Sequence, residues 1–170
     1  MNRTIENVLK YCFCYYKCYT DIDVSHEKQI VSWKDTKPFI PPIHSGCVIK
    51  IYDGDTITIA SKLPYSKSEL YRFAVRLDGI DTPEIKSNNE DEKTIAKEAR
   101  DYLTSKILNK NVVLKNVTTE KYGRILADVY FGDIHINKLM IAERFAVEYN
   151  GGTKEPPKSW VKYRLTGKKE

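Results

Sequence analysis

Three short motifs hold the residue types that a metal ion facing a phosphate would need. "YDGDT" sets Asp53 and Asp55 on either side of Gly54. "RLDGIDTPE" places Arg76 five residues before Asp81, with Thr82, Pro83 and Glu84 following at once. "EKYGR" joins Lys121, Tyr122 and Gly123 to Arg124. Pro83 holds Thr82 extended and stiffens the turn, which brings the Asp81 carboxylate and the Thr82 carbonyl round to one side, close to Glu84. Asp55, Asp81 and that carbonyl then form an all-oxygen set of the kind hard cations such as calcium take. Three protein oxygens are too few for a full shell, so waters and a substrate phosphate complete it. These motifs contain no His or Cys, which argues against zinc.

Each motif also has a plainer reading. Asp-Gly is among the commonest hairpin turns, so Asp53 and Gly54 need only turn the chain. The acidic loop reads equally as solvated surface, and a basic glycine-containing turn is usually just exposed. Asp55 is harder to dismiss, because a strand entry has no need of a carboxylate.

The elements around these motifs follow from periodicity. "CVIKIY" and "TITIA" flank "DGD" as a β-hairpin. Residues 70–78 alternate: Tyr71, Phe73, Val75 and Leu77 share one face, and Arg72, Ala74, Arg76 and Asp78 share the other. Arg76 therefore projects away from the apolar row. Ile95, Ala99, Tyr102, Leu103 and Ile107 recur at helical spacing, which predicts a helix to about Lys110. Ser87 with Glu90 has capping-box spacing, and Asn88 and Asn89 are rival caps. "VVLKNV" and "ILADVYF" read as strands, and "INKLMIAERFA" as a second, shorter helix. Five short strands with an inserted amphipathic helix predict an α+β, mainly β fold, a closed OB-fold barrel. Residues 46–150 would form it, after a Cys/Tyr-rich arm and Pro-containing linker at 1–45. Residues 151–170 are expected as a tail with a poor helical pattern, pinned to the barrel by Trp160 or unpacked.

Together, "DGDT", "R-x4-DTPE" and "KYGR", in this order and with a helix between the second and third, resemble the staphylococcal nuclease (thermonuclease) family. The likeness runs from about Gly46 to Tyr149. It implies that Asp55, Asp81 and the Thr82 carbonyl hold calcium, and that Arg76, Glu84 and Arg124 are catalytic. Asp53 matches a carboxylate beside the metal site, and Lys121, Tyr122 and Tyr149 match positions that hold the nucleotide. The activity so implied is calcium-dependent hydrolysis of DNA and/or RNA that leaves 3′-phosphates. A phosphodiester is anionic and repels hydroxide, so its hydrolysis needs charge neutralisation at the transition state. Glu84 is the natural general base, and the two arginines offer forked donors that lysine lacks. The rival expectation is a catalytically silent OB-fold module that binds single-stranded nucleic acid or a protein partner. Such a module would not need all five charged residues.

The net charge of +5 suits a polyanionic partner without specifying one. No run of about 18 apolar residues occurs, which excludes a spanning helix. "MNRTIENVLKYCFCYYKCYT" makes a poor signal peptide, and Asn2 rules out N-myristoylation of this start. The expectation is an intracellular monomer with reduced cysteines. Cys12, Cys14 and Cys18, among aromatic neighbours, suit S-acylation and reversible attachment to a membrane surface. A zinc site with His26 or Cys47 is an alternative, and idle thiols are the plainest one.

Overall fold

Alternate side chains turn inward along the strands, and Ile57, Ile59, Val75 and Leu77 are wholly buried as a result. The computed structural model describes residues 31–170. Strands β1 (Ser45–Ile51), β2 (Thr56–Lys62) and β3 (Leu70–Leu77) form an antiparallel meander. After a helix, β5 (Asn111–Thr119) pairs with β1, and β6 (Ile125–Phe131) pairs with β5. Parallel pairing of β6 with β3 closes the five strands into a barrel. Register shifts within β1 and β5 supply the local bends that closure requires. Two short strands, β4 (Ile80–Asp81) and β8 (Val147–Glu148), pair separately, and β7 (Ile134–His135) extends the edge of β6. The expected mainly β, OB-type barrel is the fold observed.

The inserted helix α1 (Glu90–Ile107) buries Ile95, Ala96, Ala99, Leu103 and Ile107 along one stripe. Asn89 is its cap, accepting from the Asp91 and Glu92 amides at 2.9 and 3.3 Å. Ser87 and Glu90 form no capping box; the Ser87 hydroxyl donates to Glu92 instead. The helix ends three residues short of Lys110. Asn109 turns left-handed (φ 59), and its amide donates to the Val48 carbonyl, so β1 captures the chain there. Helix α2 (Ile136–Ala142) is likewise shorter than its pattern suggested. Arg144 adopts φ 59, and the Phe145 and Ala146 amides fold back onto the Met140 carbonyl.

Residues 151–170 differ most from expectation. They contain a third helix, α3 (Trp160–Thr166), capped by Ser159 and closed by Gly167 in the left-handed region. Trp160 and Tyr163 are buried by it, and α3 packs against α1. The Tyr163 hydroxyl donates to the Ala146 carbonyl at 3.2 Å, and Arg164 lies over the Phe145 ring.

The chain divides into two compact units, Met1–Lys37 and Pro38–Glu170. The barrel and its helices make up the second. In the first, a 3-10 turn spans Trp33–Asp35, with Ser32 and Asp35 bonded across it. Cys12, Cys14, Cys18 and His26 lie outside the described residues, as do the acylation and zinc readings that depend on them. Among the described residues no helix is long and apolar enough to cross a membrane.

Because Trp160 fills a buried position (4% exposed), Trp160→Ala is expected to cost about 3–5 kcal/mol of stability. The midpoint of urea denaturation measures it; an unchanged midpoint would mean that α3 adds nothing to the core.

Candidate active site

Backbone register gathers the three motifs at one end of the barrel. Thr56 pairs with Arg76 across β2 and β3, and the Leu77 amide donates to the Asp55 carbonyl at 2.8 Å. The parallel β3–β6 register sets Arg76 beside Leu126, which brings the start of β6, and with it Arg124, to the same end. The β4–β8 ladder pairs Asp81 with Val147, and the Tyr149 amide donates to the Gly79 carbonyl. Residues far apart in sequence thus share one mouth.

Gly54 has a different job from the one its Asp-Gly pair suggested. It does not take the left-handed conformation of a tight hairpin turn. A Cβ there would lie 3.1 Å from both the Ala99 methyl and the Thr82 Cγ2. The glycine lets the β1–β2 turn press against α1 and the Asp81–Thr82 segment.

Asp55 and Asp81 are each 3% exposed, and both meet Arg76. Arg76 Nη1 lies 2.5 Å from Asp55 Oδ2, and Nη2 lies 3.7 Å from Asp81 Oδ1 while donating to the Ile80 carbonyl at 3.3 Å. The Thr56 hydroxyl donates to Asp55 Oδ1 at 2.8 Å, and the Asp55 amide donates to Asp53. Burial pushes the Asp55 carboxyl up to about 7, against the pull of Arg76 and the Thr56 hydroxyl. Arg124 is gripped by both carboxylate oxygens of Glu120 and reaches the Thr56 hydroxyl at 3.4 Å. One chain of polar contacts therefore links Glu120, Arg124, Thr56, Asp55, Arg76 and Asp81.

Glu84 stands at the exposed side of this chain. Its amide donates to Glu92 of α1, and its Oε1 accepts from Lys154 Nζ at 2.8 Å. The same ammonium lies 2.8 Å from Asp81 Oδ1. Burial disfavours its charge, yet Asp81 and Glu84 outweigh burial and push Lys154 up to about 12. Next to Arg76 opens a cleft of about 680 Å³, lined by Leu77 to Ile80, Glu120, Lys121 and Tyr149 to Gly152. Lys121 and Tyr149 thus line it. Tyr122, 73% exposed under the Lys121 ammonium, stands outside its lining.

Sequence reasoning missed Glu120, Glu92 and Lys154. Glu120 stands four residues before Arg124, a spacing that signals an ion pair only once the turn is known. Glu92 was visible as a first-turn acid of α1. Lys154 lies 70 residues from Glu84, and no local pattern announces it.

Among the described residues no three His, Cys, Asp or Glu side chains gather as a metal cluster. The two buried carboxylates and the neighbouring buried Thr82 do fit a hard cation. Asp81 Oδ1 is buried with no aligned hydrogen-bond donor: Lys154 Nζ lies 2.8 Å away without forming a hydrogen bond, and Arg76 Nη2 stays at 3.7 Å, beyond bonding distance. A cation there would satisfy that oxygen.

A closed barrel whose mouth joins buried acids, paired arginines and an open cleft defines a class: an OB-type domain with a charged cleft at one end. Comparison with known proteins narrows it. Residues 74–165 match the family model described as "Staphylococcal nuclease homologue", and the chain belongs to that family. It is 33% identical over 101 residues to the thermonuclease of Staphylococcus hyicus, covering 58% of this chain and 56% of that one. It is 33% identical over 99 residues to a probable endonuclease of Schizosaccharomyces pombe, covering 53% and 43%. An uncharacterized protein of Bacillus anthracis is 35% identical over 105 residues, covering 60% and 46%. The chain spans about half the length of the curated relatives it matches.

Gly54→Ala is expected to destabilise the fold by about 1–3 kcal/mol, because the added methyl overpacks the contact with Thr82 and Ala99. Denaturation in chelator reads this; an unaltered midpoint would show that the turn yields freely.

Proposed function

We propose that this chain is a calcium-dependent nuclease that hydrolyses phosphodiester bonds of DNA and/or RNA and leaves 3′-phosphate ends. The observation that carries the reading is Arg76 reaching both buried carboxylates at the edge of an open cleft. Membership of the nuclease family and the endonuclease names of relatives support it. So does the co-location of acid, base and fork-shaped donors, for which a silent binding module would have no use.

In this proposal Asp55, Asp81 and the Thr82 carbonyl hold calcium, with Asp53 steadying the turn behind Asp55. When bound, the ion neutralises charge on a phosphate oxygen and lowers the barrier to attack by water. Glu84 takes the proton from the attacking water, on an oxygen that now accepts from Lys154. Hydroxide adds to phosphorus, the bond to the 5′-oxygen breaks, and that oxygen takes a proton from solvent. Arg76 and Arg124 hold the remaining phosphate oxygens through their planar forks. Both forks are pre-set, Arg76 by Asp55 and Ile80, Arg124 by Glu120 and Thr56. Lys121 and Tyr149 line the path of the nucleic acid, and Tyr122 offers a ring for stacking at its rim. Every residue given a metal-binding, catalytic or nucleic-acid-binding role lies between 53 and 149, so the barrel of one copy suffices. The segment that carries Cys12, Cys14 and Cys18 sets location, through their acylation at a membrane surface.

Incubating the full chain with denatured DNA tests the reading directly. Cleavage is expected with calcium, loss of it in chelator, and little turnover with magnesium, which demands tighter octahedral geometry. Full activity in excess chelator would sink the metal assignment.

Glu84→Gln is expected to lower kcat by about 10²–10⁴-fold while calcium still binds in a calorimetric titration. Arg124→Lys should fail comparably, because a point charge does not replace the fork. Near-wild-type cleavage by either variant would remove that residue from the mechanism.

A further inference from the structure

The loop after β8 does more than border the cleft. Tyr149 anchors its start, with its amide on the Gly79 carbonyl and its hydroxyl on the Gly152 carbonyl at 2.9 Å. Gly151 (φ 86) and Gly152 (φ 85) then take left-handed conformations that other residues resist. Nothing lies within 4 Å of where their Cβ atoms would be. All of residues 150–156 are exposed, and packing resumes only at the buried Pro157 and at Ser159, the cap of α3. This strap has firm ends and an unpacked middle, the profile of a segment that opens at low cost.

One side chain of the strap is nevertheless held. Lys154 Nζ lies 2.8 Å from Asp81 Oδ1 and 2.8 Å from Glu84 Oε1, spanning the buried acid and the exposed one. A primary ammonium is a compact cation on a flexible stem. It sits against the carboxylate that the nuclease reading assigns to calcium. The ammonium lies 2.8 Å from Asp81 Oδ1 without an aligned hydrogen bond, and it and a divalent cation cannot both occupy the space in front of that oxygen.

We propose that Lys154 is a tethered counter-ion that competes with the divalent metal for Asp81 while holding Glu84, so that the strap at 150–156 sets the calcium threshold of the site and is released when the metal binds. The ammonium adds a positive charge between Glu84 and Asp81, which Arg76 reaches only at 3.7 Å. Calcium entry displaces it, freeing Glu84 Oε1 to accept a proton and freeing the strap beside the cleft. The device rests on the reading of Asp81 as a metal ligand.

The test is a calorimetric titration of the full chain with calcium chloride alone, comparing wild type, Lys154→Met and Lys158→Met. Methionine keeps the length of the stem and removes the charge. Lys158 lies on the same segment but forms no ion pair with an acid among the described residues, so its variant controls for net charge. Losing a charge-assisted contact that calcium must break is expected to tighten Lys154→Met about tenfold or more, with Lys158→Met within about twofold of wild type. Hydrogen exchange of the peptide covering 150–156 gives a second readout on unaltered protein. It should quicken in wild type when calcium is added, and should already be fast without metal in Lys154→Met. If Lys154→Met fails to fold, the wild-type exchange measurement decides alone. Equal or weaker affinity in a folded Lys154→Met, an equal gain in Lys158→Met, or unchanged exchange in calcium-loaded wild type would overturn the proposal. No calcium binding by wild type or by Lys154→Met would instead overturn the metal reading itself, and the strap's role with it.

Discussion

The guanidinium of Arg76 lies between Asp55 and Asp81, and both acids are buried. Taking two carboxylates out of water costs several kcal/mol each unless opposite charge and hydrogen bonds repay it. Arg76 answers both at once because its planar fork has more than one edge to offer. The surrounding structure can be understood as what that arrangement needs. The β2–β3 register delivers Asp55 beside Arg76, the β4–β8 ladder fixes Asp81, and Gly54 lets the first turn approach Thr82. Each is a backbone device, and each serves an electrostatic end.

Around this centre stands a ring of residues that hold its charged neighbours in place by charge and hydrogen bonding. Glu120 grips Arg124, Glu92 of α1 receives the Glu84 amide and the Ser87 hydroxyl, and Lys154 bridges Asp81 and Glu84. Helix α1 therefore does two jobs. Its apolar stripe fills the barrel end, while its first turn clamps the loop that carries Glu84. Asn137 of α2 plays a similar part deeper in the fold, its buried amide accepting from the Val129 amide and donating to the Asp78 and Ala127 carbonyls. That ties the end of β3 to β6 just where the barrel closes beside the site.

The site is also out of electrostatic balance. Burial raises Asp55 despite its arginine, and Asp81 Oδ1 has charged neighbours without an aligned donor. A fold that needed only stability would fill such a place with apolar side chains, which is often the more stable choice. Retaining under-satisfied acids beside a cleft of about 680 Å³ is the pattern of a functional site.

Much of this was legible in the sequence because it is written in local periods. Alternation over residues 70–78 placed Arg76 on the face opposite the apolar row, and helical spacing from Ile95 to Ile107 located α1. The three motifs singled out Asp55, Asp81, Arg76 and Arg124, which the structure brings to one end of the barrel. Other features depend on contacts that no local pattern encodes. Helix α3 hides behind glycines and prolines, and its short apolar face becomes meaningful only when Trp160 and Tyr163 find α1 and the segment around Ala146. Gly54 looked like a turn residue and proved to be a packing residue, because the Ala99 and Thr82 atoms it admits come from elsewhere in the chain. Lys154 stands 70 residues from Glu84, and only the β4–β8 ladder with the strap beyond it brings the two together. The sequence by itself determined the elements and the chemical types at the site, since periodicity and residue identity are local properties. Tertiary structure alone decided which charges meet, because a charge acts through distance in space and not through separation along the chain.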